Sequence, residues 1–201
     1  MISKIVTILL FVMMLQPAVH AQKLQRTYQL DIKKSKILWK TKVGRHSGYL
    51  LFNSGNLQYS ATGQPINGSF SMDMNNIRST DNAQDEARRK TDANLKKEDF
   101  FYSALYPTAT IDVKKISRIG SSLAYKVMGD LTIKGISKPI EFTATISTKD
   151  KVTHITANID MSRQLWNIHS EPKAKSLDLM SGTTEKLNPD IFVSLDLILN
   201  K

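Results

Sequence analysis

The stretch GDLTIKGISKPIEFTATI, Gly129–Ile146, decides the fold. Leu131 and Ile133 share one parity, as do Ile140, Phe142, Ala144 and Ile146. Asp130, Thr132, Glu141, Thr143 and Thr145 take the other. Apolar residues recurring every second position mark a strand with one face away from water. Two such runs about a short turn predict antiparallel neighbours. The greasy face of that pair needs a cover, and the rest of the chain must supply it.

Working outward, the same alternation predicts nine strands: Thr27–Ile32, Lys36–Val43, Gly48–Ser60, Ile66–Asn75, Thr108–Ile119, Ser122–Lys134, Lys138–Thr148, Val152–Met161 and Ile191–Asn200. Inward sets include Phe70, Met72 and Met74; Leu123, Tyr125, Val127, Leu131 and Ile133; Ile155, Ala157, Ile159 and Met161; and Ile191, Val193, Leu195, Leu197 and Leu199. A slip of one residue would expose each set, so the register is firm. Short links such as SATGQP, RIGSS and KDK predict a meander. Only Thr80–Phe101 reads as helical, with Thr80 and Asp81 as cap types. Its apolar stripe (Ala83, Ala87, Leu95) is too poor to cover a large sheet. Two packed sheets or one closed sheet remain, and the meander favours a barrel. Ser170–Asp190 has no clear period and reads as a long loop.

The first residues, MISKIVTILLFVMMLQPAVHA, place Lys4 before an apolar run and end on small residues, the layout of a leader cleaved after Ala21. The expected organisation is therefore a signal peptide over 1–21 and a single domain over 22–201. No cysteine is present, so stability rests on packing and sheet hydrogen bonds. The net charge of +10 falls to +9 without Lys4. Its cations are scattered among acids, which argues against a nucleic-acid partner and leaves room for anionic headgroups.

Catalytic patterns are missing. His46, His154 and His169 share no metal-binding spacing, and His154 falls on an outward strand position. There is no nucleophile elbow, phosphate loop or dinucleotide fingerprint. Asp85–Glu86 and Glu98–Asp99 are neighbours in sequence and point apart, so neither forms an acid–base pair. The expectation is a protein without catalytic residues, metal or cofactor.

TDANLKKEDFFYSALYPTATID, Thr91–Asp112, is similar to the central signature of the YceI-like family of periplasmic polyisoprenoid-binding proteins. That signature runs His-Leu, Asp-Phe-Phe, Tyr-Pro-x-Ala. It corresponds to Asn94-Leu95, Asp99-Phe100-Phe101 and Tyr106-Pro107-Thr108-Ala109. The opening stretch carries a second hallmark, Gly129–Gly135 followed by Lys138-Pro139. SKILWKTK, GSFSMDMNNI (Gly68–Ile77) and DMSRQLWNI (Asp160–Ile168) extend the match over Tyr28–Leu199. Asn94 replaces the usual histidine, so no proton or metal role carries over to it.

The resemblance implies an all-β, extended eight-stranded antiparallel lipocalin-like barrel with a short helical segment near Thr80–Phe101. A long apolar chain would lie inside it, with Phe100, Phe101 and Tyr106 plugging one end. An eight-stranded barrel is either filled by its own side chains or holds one small ligand. Small residues mixed with flexible methionines suit a tunnel, and the resemblance tips the balance that way. The expected lining or rim residues are Trp39, Phe52, Phe70, Met72, Met74, Phe100, Phe101, Tyr106, Ile111, Val127, Leu131, Ile133, Phe142, Ile159, Met161 and Trp166. The function expected is a periplasmic binding protein for an isoprenoid, quinone-like or other long-chain amphiphile. The alternative is a structural or stress-related barrel with a filled core. A homodimer and a transient membrane contact stay open.

Overall fold

The computed structural model describes residues 25–42, 46–81, 83–168 and 190–201; the expected leader and the 169–189 stretch, with His169, lie outside them. Nine strands form in the expected order: β1 (Arg26–Leu30), β2 (Lys36–Thr41), β3 (Ser47–Tyr59), β4 (Pro65–Ser79), β5 (Thr108–Arg118), β6 (Ala124–Ile133), β7 (Ile136–Lys149), β8 (Val152–Met161) and β9 (Ile191–Asn200). Helix α1 (Asp85–Leu95) follows β4, and a 3-10 turn (Arg163–Trp166) follows β8. No helix among the described residues is long and apolar enough to cross a membrane.

Strands β2 to β9 pair with their sequence neighbours, and β9 pairs back onto β2, closing an eight-stranded antiparallel meander. The ninth strand fits because β1 and β2 share one stave. Both run antiparallel between β3 and β9, with β1 beside Tyr59 and Leu199 and β2 beside Gly48 and Val193. Polar side chains carry the break between them. The Asp31 carboxylate accepts the N–H groups of Lys33 and Lys34, both at 3.2 Å. Buried Ser35 Oγ accepts the Ile198 N–H at 3.0 Å and donates to its carbonyl at 3.3 Å, replacing a missing ladder contact.

Two ends follow from this topology. One carries the tight turns after β3, β5 and β7 and the start of β1; the other carries α1, the 3-10 turn and the β6–β7 hairpin. That hairpin turns on Lys134 (φ 51°) and Gly135 (φ 70°), the two positive-φ positions of a turn matched to strand twist. The turned-in residues of the sheet form the core. Leu123 corrects the expected pattern: it lies in the turn ahead of β6, and 49 % of it is exposed because no further strand covers that end. Helix α1 is shorter than expected and begins after Gln84, without a side-chain cap. Asp81 is occupied elsewhere, holding the Ser47 N–H and the His46 ring.

Candidate ligand-binding cavity

A layer of aromatic and hydroxyl groups seals the end with the tight turns. Tyr28 and Tyr59 pack with ring centroids 4.8 Å apart, and Tyr125 is buried nearby. Tyr59 Oη shares hydrogen bonds with Thr148 Oγ1 (2.9 Å) and Thr153 Oγ1 (3.0 Å), which in turn contact each other at 2.9 Å. Burial raises the Tyr59 phenol above its ordinary pKa; the two threonine hydroxyls oppose that shift, and Tyr28 and Tyr125 add to it. Satisfied hydroxyls close this floor without leaving an orphaned polar atom.

Above the floor the barrel is hollow. An apolar cavity of about 390 Å³ is lined by side chains of all eight staves. Fifteen of the sixteen expected residues reach it. Trp39 and Phe52 come from β2 and β3, Phe70, Met72 and Met74 from β4, and Ile111 from β5. Val127, Leu131 and Ile133 come from β6, Phe142 from β7, and Ile159 and Met161 from β8, with Phe100, Phe101 and Trp166 from the connections. Tyr106 is the exception. Its ring lies beside Gly135, where a Cβ would come within 3.0 Å of Cε1, and edge-on to Tyr102 at 6.0 Å. It packs on the β6–β7 turn, at the rim of the mouth and not in the lining.

Helix α1 forms the brow of the opening. Asp92 fastens it: Oδ1 accepts the Ser79 N–H at 2.6 Å, and Oδ2 lies 3.8 Å from Arg78 Nε. This turns Thr91, Asn94 and Leu95 toward the cavity. Their i, i+3, i+4 spacing is the signal for that face; two polar members hid it in a search for apolar stripes. Across the opening, β7 pairs with β8 only from Ala144 to Lys149. Trp166 stands where the two strands part, 1 % exposed, its indole N–H donating to the Leu131 carbonyl at 3.1 Å. Lys134 Nζ ties the two flanks, donating to the Glu98 carbonyl at 2.9 Å and the Asn167 carbonyl at 3.0 Å.

Two pairs of charged or ionisable groups at this mouth hold each other. Arg163 Nε lies 2.6 Å from Asp190 Oδ2, and the ring of His46 lies 2.7 Å from Asp81. Burial pushes the Asp81 carboxyl up, but the Ser47 N–H, His46 and Ser79 together hold it below its ordinary pKa. Asn94 lines the cavity and offers a neutral amide. His154 is on the outer wall beside Asp196, as its parity predicted. Among the described residues no three His, Cys, Asp or Glu side chains converge on a metal site. The arrangement is suited to enclosing an oily molecule.

A family model for the YceI-like domain matches residues 28–197. The chain belongs to the YceI-like family. Solved structures share the fold at low identity. Burkholderia cenocepacia BcnA superposes with a TM-score of 0.65 at 17 % identity, covering 84 % of this chain and 98 % of its own. A polyisoprenoid-binding domain from Saccharophagus degradans, implicated in plant cell wall breakdown, gives 0.56 at 14 % identity, covering 86 % and 97 %. The Campylobacter jejuni YceI protein gives 0.54 at 19 %, covering 81 % and 84 %. A search of curated proteins returned no match. The YceI-like barrel thus accounts for nearly all the described chain.

Proposed function

We propose that this YceI-like protein is an exported carrier or reservoir that holds one long-chain amphiphile, of isoprenoid or quinone-like type, inside its barrel. The tail points to the tyrosine floor and the polar end sits among Asn94, His46 and Arg163 at the mouth. The observation that carries this reading is the apolar cavity of about 390 Å³. It is more than twice the roughly 150 Å³ apolar cavity that stays dry and takes up benzene. An oily occupant gains by entering it, since each methylene taken from water contributes ~0.8 kcal/mol. A solid structural barrel would carry no such space. The S. degradans neighbour, described as polyisoprenoid-binding, agrees in ligand class.

Export to the periplasm rests on the leader expected over Met1–Ala21. The test is organic extraction of protein purified without detergent, followed by mass-spectrometric identification of the extract. The expected result is a long-tailed lipid in near one-to-one ratio. Protein that yields no lipid and takes up none of a panel of added isoprenoids and quinones contradicts the proposal.

A further inference from the structure

Turn tips at a barrel end are ordinarily polar. At the closed end of this barrel the β3–β4 turn is polar, but the other two turns carry large apolar residues. Ile119 (45 % exposed) and Leu123 (49 %) flank the β5–β6 turn, and Val152 (39 %) follows the β7–β8 turn. The two turns belong to adjoining hairpins: the Ile146 N–H on β7 donates to the Leu123 carbonyl. Val152 is opposite Lys149 on β7 and Asn200 on β9.

Cations ring these apolar tips. Arg118 precedes Ile119, Lys149 and Lys151 bracket the second turn, the Lys201 N–H donates to the Lys151 carbonyl, and Arg26 enters opposite Tyr59. All five are exposed, and none enters an ion pair among the described residues. Asp150 and the Lys201 terminal carboxylate are the anions among them. A second apolar group, Leu38, Leu51 and Phe192 on the outer wall, also has basic neighbours in Lys36, Lys40 and Arg78. There Asp73, Asp92 and Asp196 stand against those cations. Charge separates the two surfaces: the wall patch nearly cancels, while the closed end keeps a positive excess beside protruding apolar side chains.

We propose that the closed end of the barrel docks on an anionic lipid bilayer, leaving the mouth facing away from it. Each cation near such a surface contributes ~1 kcal/mol, and apolar tips add to this by entering the headgroup boundary. Docking is independent of whatever fills the cavity.

The test is co-sedimentation of the chain from Gln22 onward, which lacks the apolar leader but keeps every described element. Vesicles of phosphatidylcholine alone are compared with vesicles containing equal parts of phosphatidylglycerol. Binding is expected on the anionic vesicles only. The Lys149→Gln/Lys151→Gln pair should lower partitioning roughly thirtyfold, from two lost cations. Ile119→Gln/Leu123→Gln should weaken it further, and Leu38→Gln should leave it unchanged. Since the chain has no cysteine, an environment-sensitive dye on Ser121→Cys should shift on binding, and one on Leu105→Cys at the mouth should not. The proposal is overturned by equal binding to neutral vesicles, by no binding, by loss of binding through Leu38→Gln alone, or by a shift at Leu105 instead. It is overturned equally if Ile119→Gln/Leu123→Gln splits a dimer that never bound vesicles, making the patch an interface between copies.

Discussion

Replacing Met72 by Trp distinguishes a hollow barrel from a packed one. Met72 is 7 % exposed, points inward from β4 opposite Phe52 on β3 and Ala109 on β5, and lines the cavity. In a packed core an enlargement of this kind costs ~1–3 kcal/mol in strain. For a domain of this size that is a fall of about 2–12 °C in Tm. In the hollow barrel the indole enters space already present, so ligand-free protein should keep its Tm within about 2 °C, less than a 1 kcal/mol loss produces. The guest suffers instead. The substitution takes the room of about two to three guest methylenes, a gross loss of ~2 kcal/mol at ~0.8 kcal/mol each. A loss of that size reduces affinity more than tenfold. The assays are thermal unfolding of delipidated protein and quantitation of lipid carried through purification. A large fall in Tm with full lipid retention would mean a packed interior.

Further outcomes follow from the described contacts. Ser35→Ala orphans the buried Ile198 N–H and should cost ~1–3 kcal/mol, read by urea denaturation. Tyr59→Phe removes the hydroxyl shared by Thr148 and Thr153 and should cost a similar ~1–3 kcal/mol, with the floor still closed. Because the folded Tyr59 pKa lies above the ordinary 10.0, its contribution is complete below pH 10 and is lost as pH rises through the folded value. The Tyr59→Phe protein should therefore show a shallower alkaline fall in stability. Asp92→Ala releases α1 from Ser79 and Arg78; dissociation of a bound fluorescent lipid should speed up several-fold while the barrel's circular dichroism stays the same. Asp81, held below its ordinary 3.8, supports the link between Ser47 and the chain after β4 above that pH and releases it as pH falls through the lowered value. Asp81→Asn should abolish that acid-dependent loss, read as a flatter fall in unfolding stability with falling pH.

Much of this architecture was legible because strand alternation is a local signal with a long-range consequence. Once Leu131, Ile133, Ile140 and Phe142 must face one way, a chain with no adequate covering helix has to cover that face with its own sheet. The departures have local causes. Nine strands make eight staves because Asp31 and Ser35 bridge a break within one stave, a polar substitution that periodicity does not register. Leu123 keeps an inward parity one residue beyond the strand, where no wall remains. Asp81 has the chemistry of a helix cap but is held by Ser47 and His46 from the neighbouring strand connection. Tyr106 and Phe101 look alike in sequence; Tyr106 lies against Gly135, where a Cβ would crowd its ring, and does not line the cavity. Thr91 and Asn94 were missed as lining residues because a cavity mouth needs polar groups that a search for apolar faces passes over.

Native mass spectrometry of the protein purified without detergent shows whether the barrel carries a guest. A population heavier than the chain by the mass of one lipid, lost on collisional activation, is expected. A bare polypeptide mass, unchanged after incubation with isoprenoids and quinones, would contradict the account.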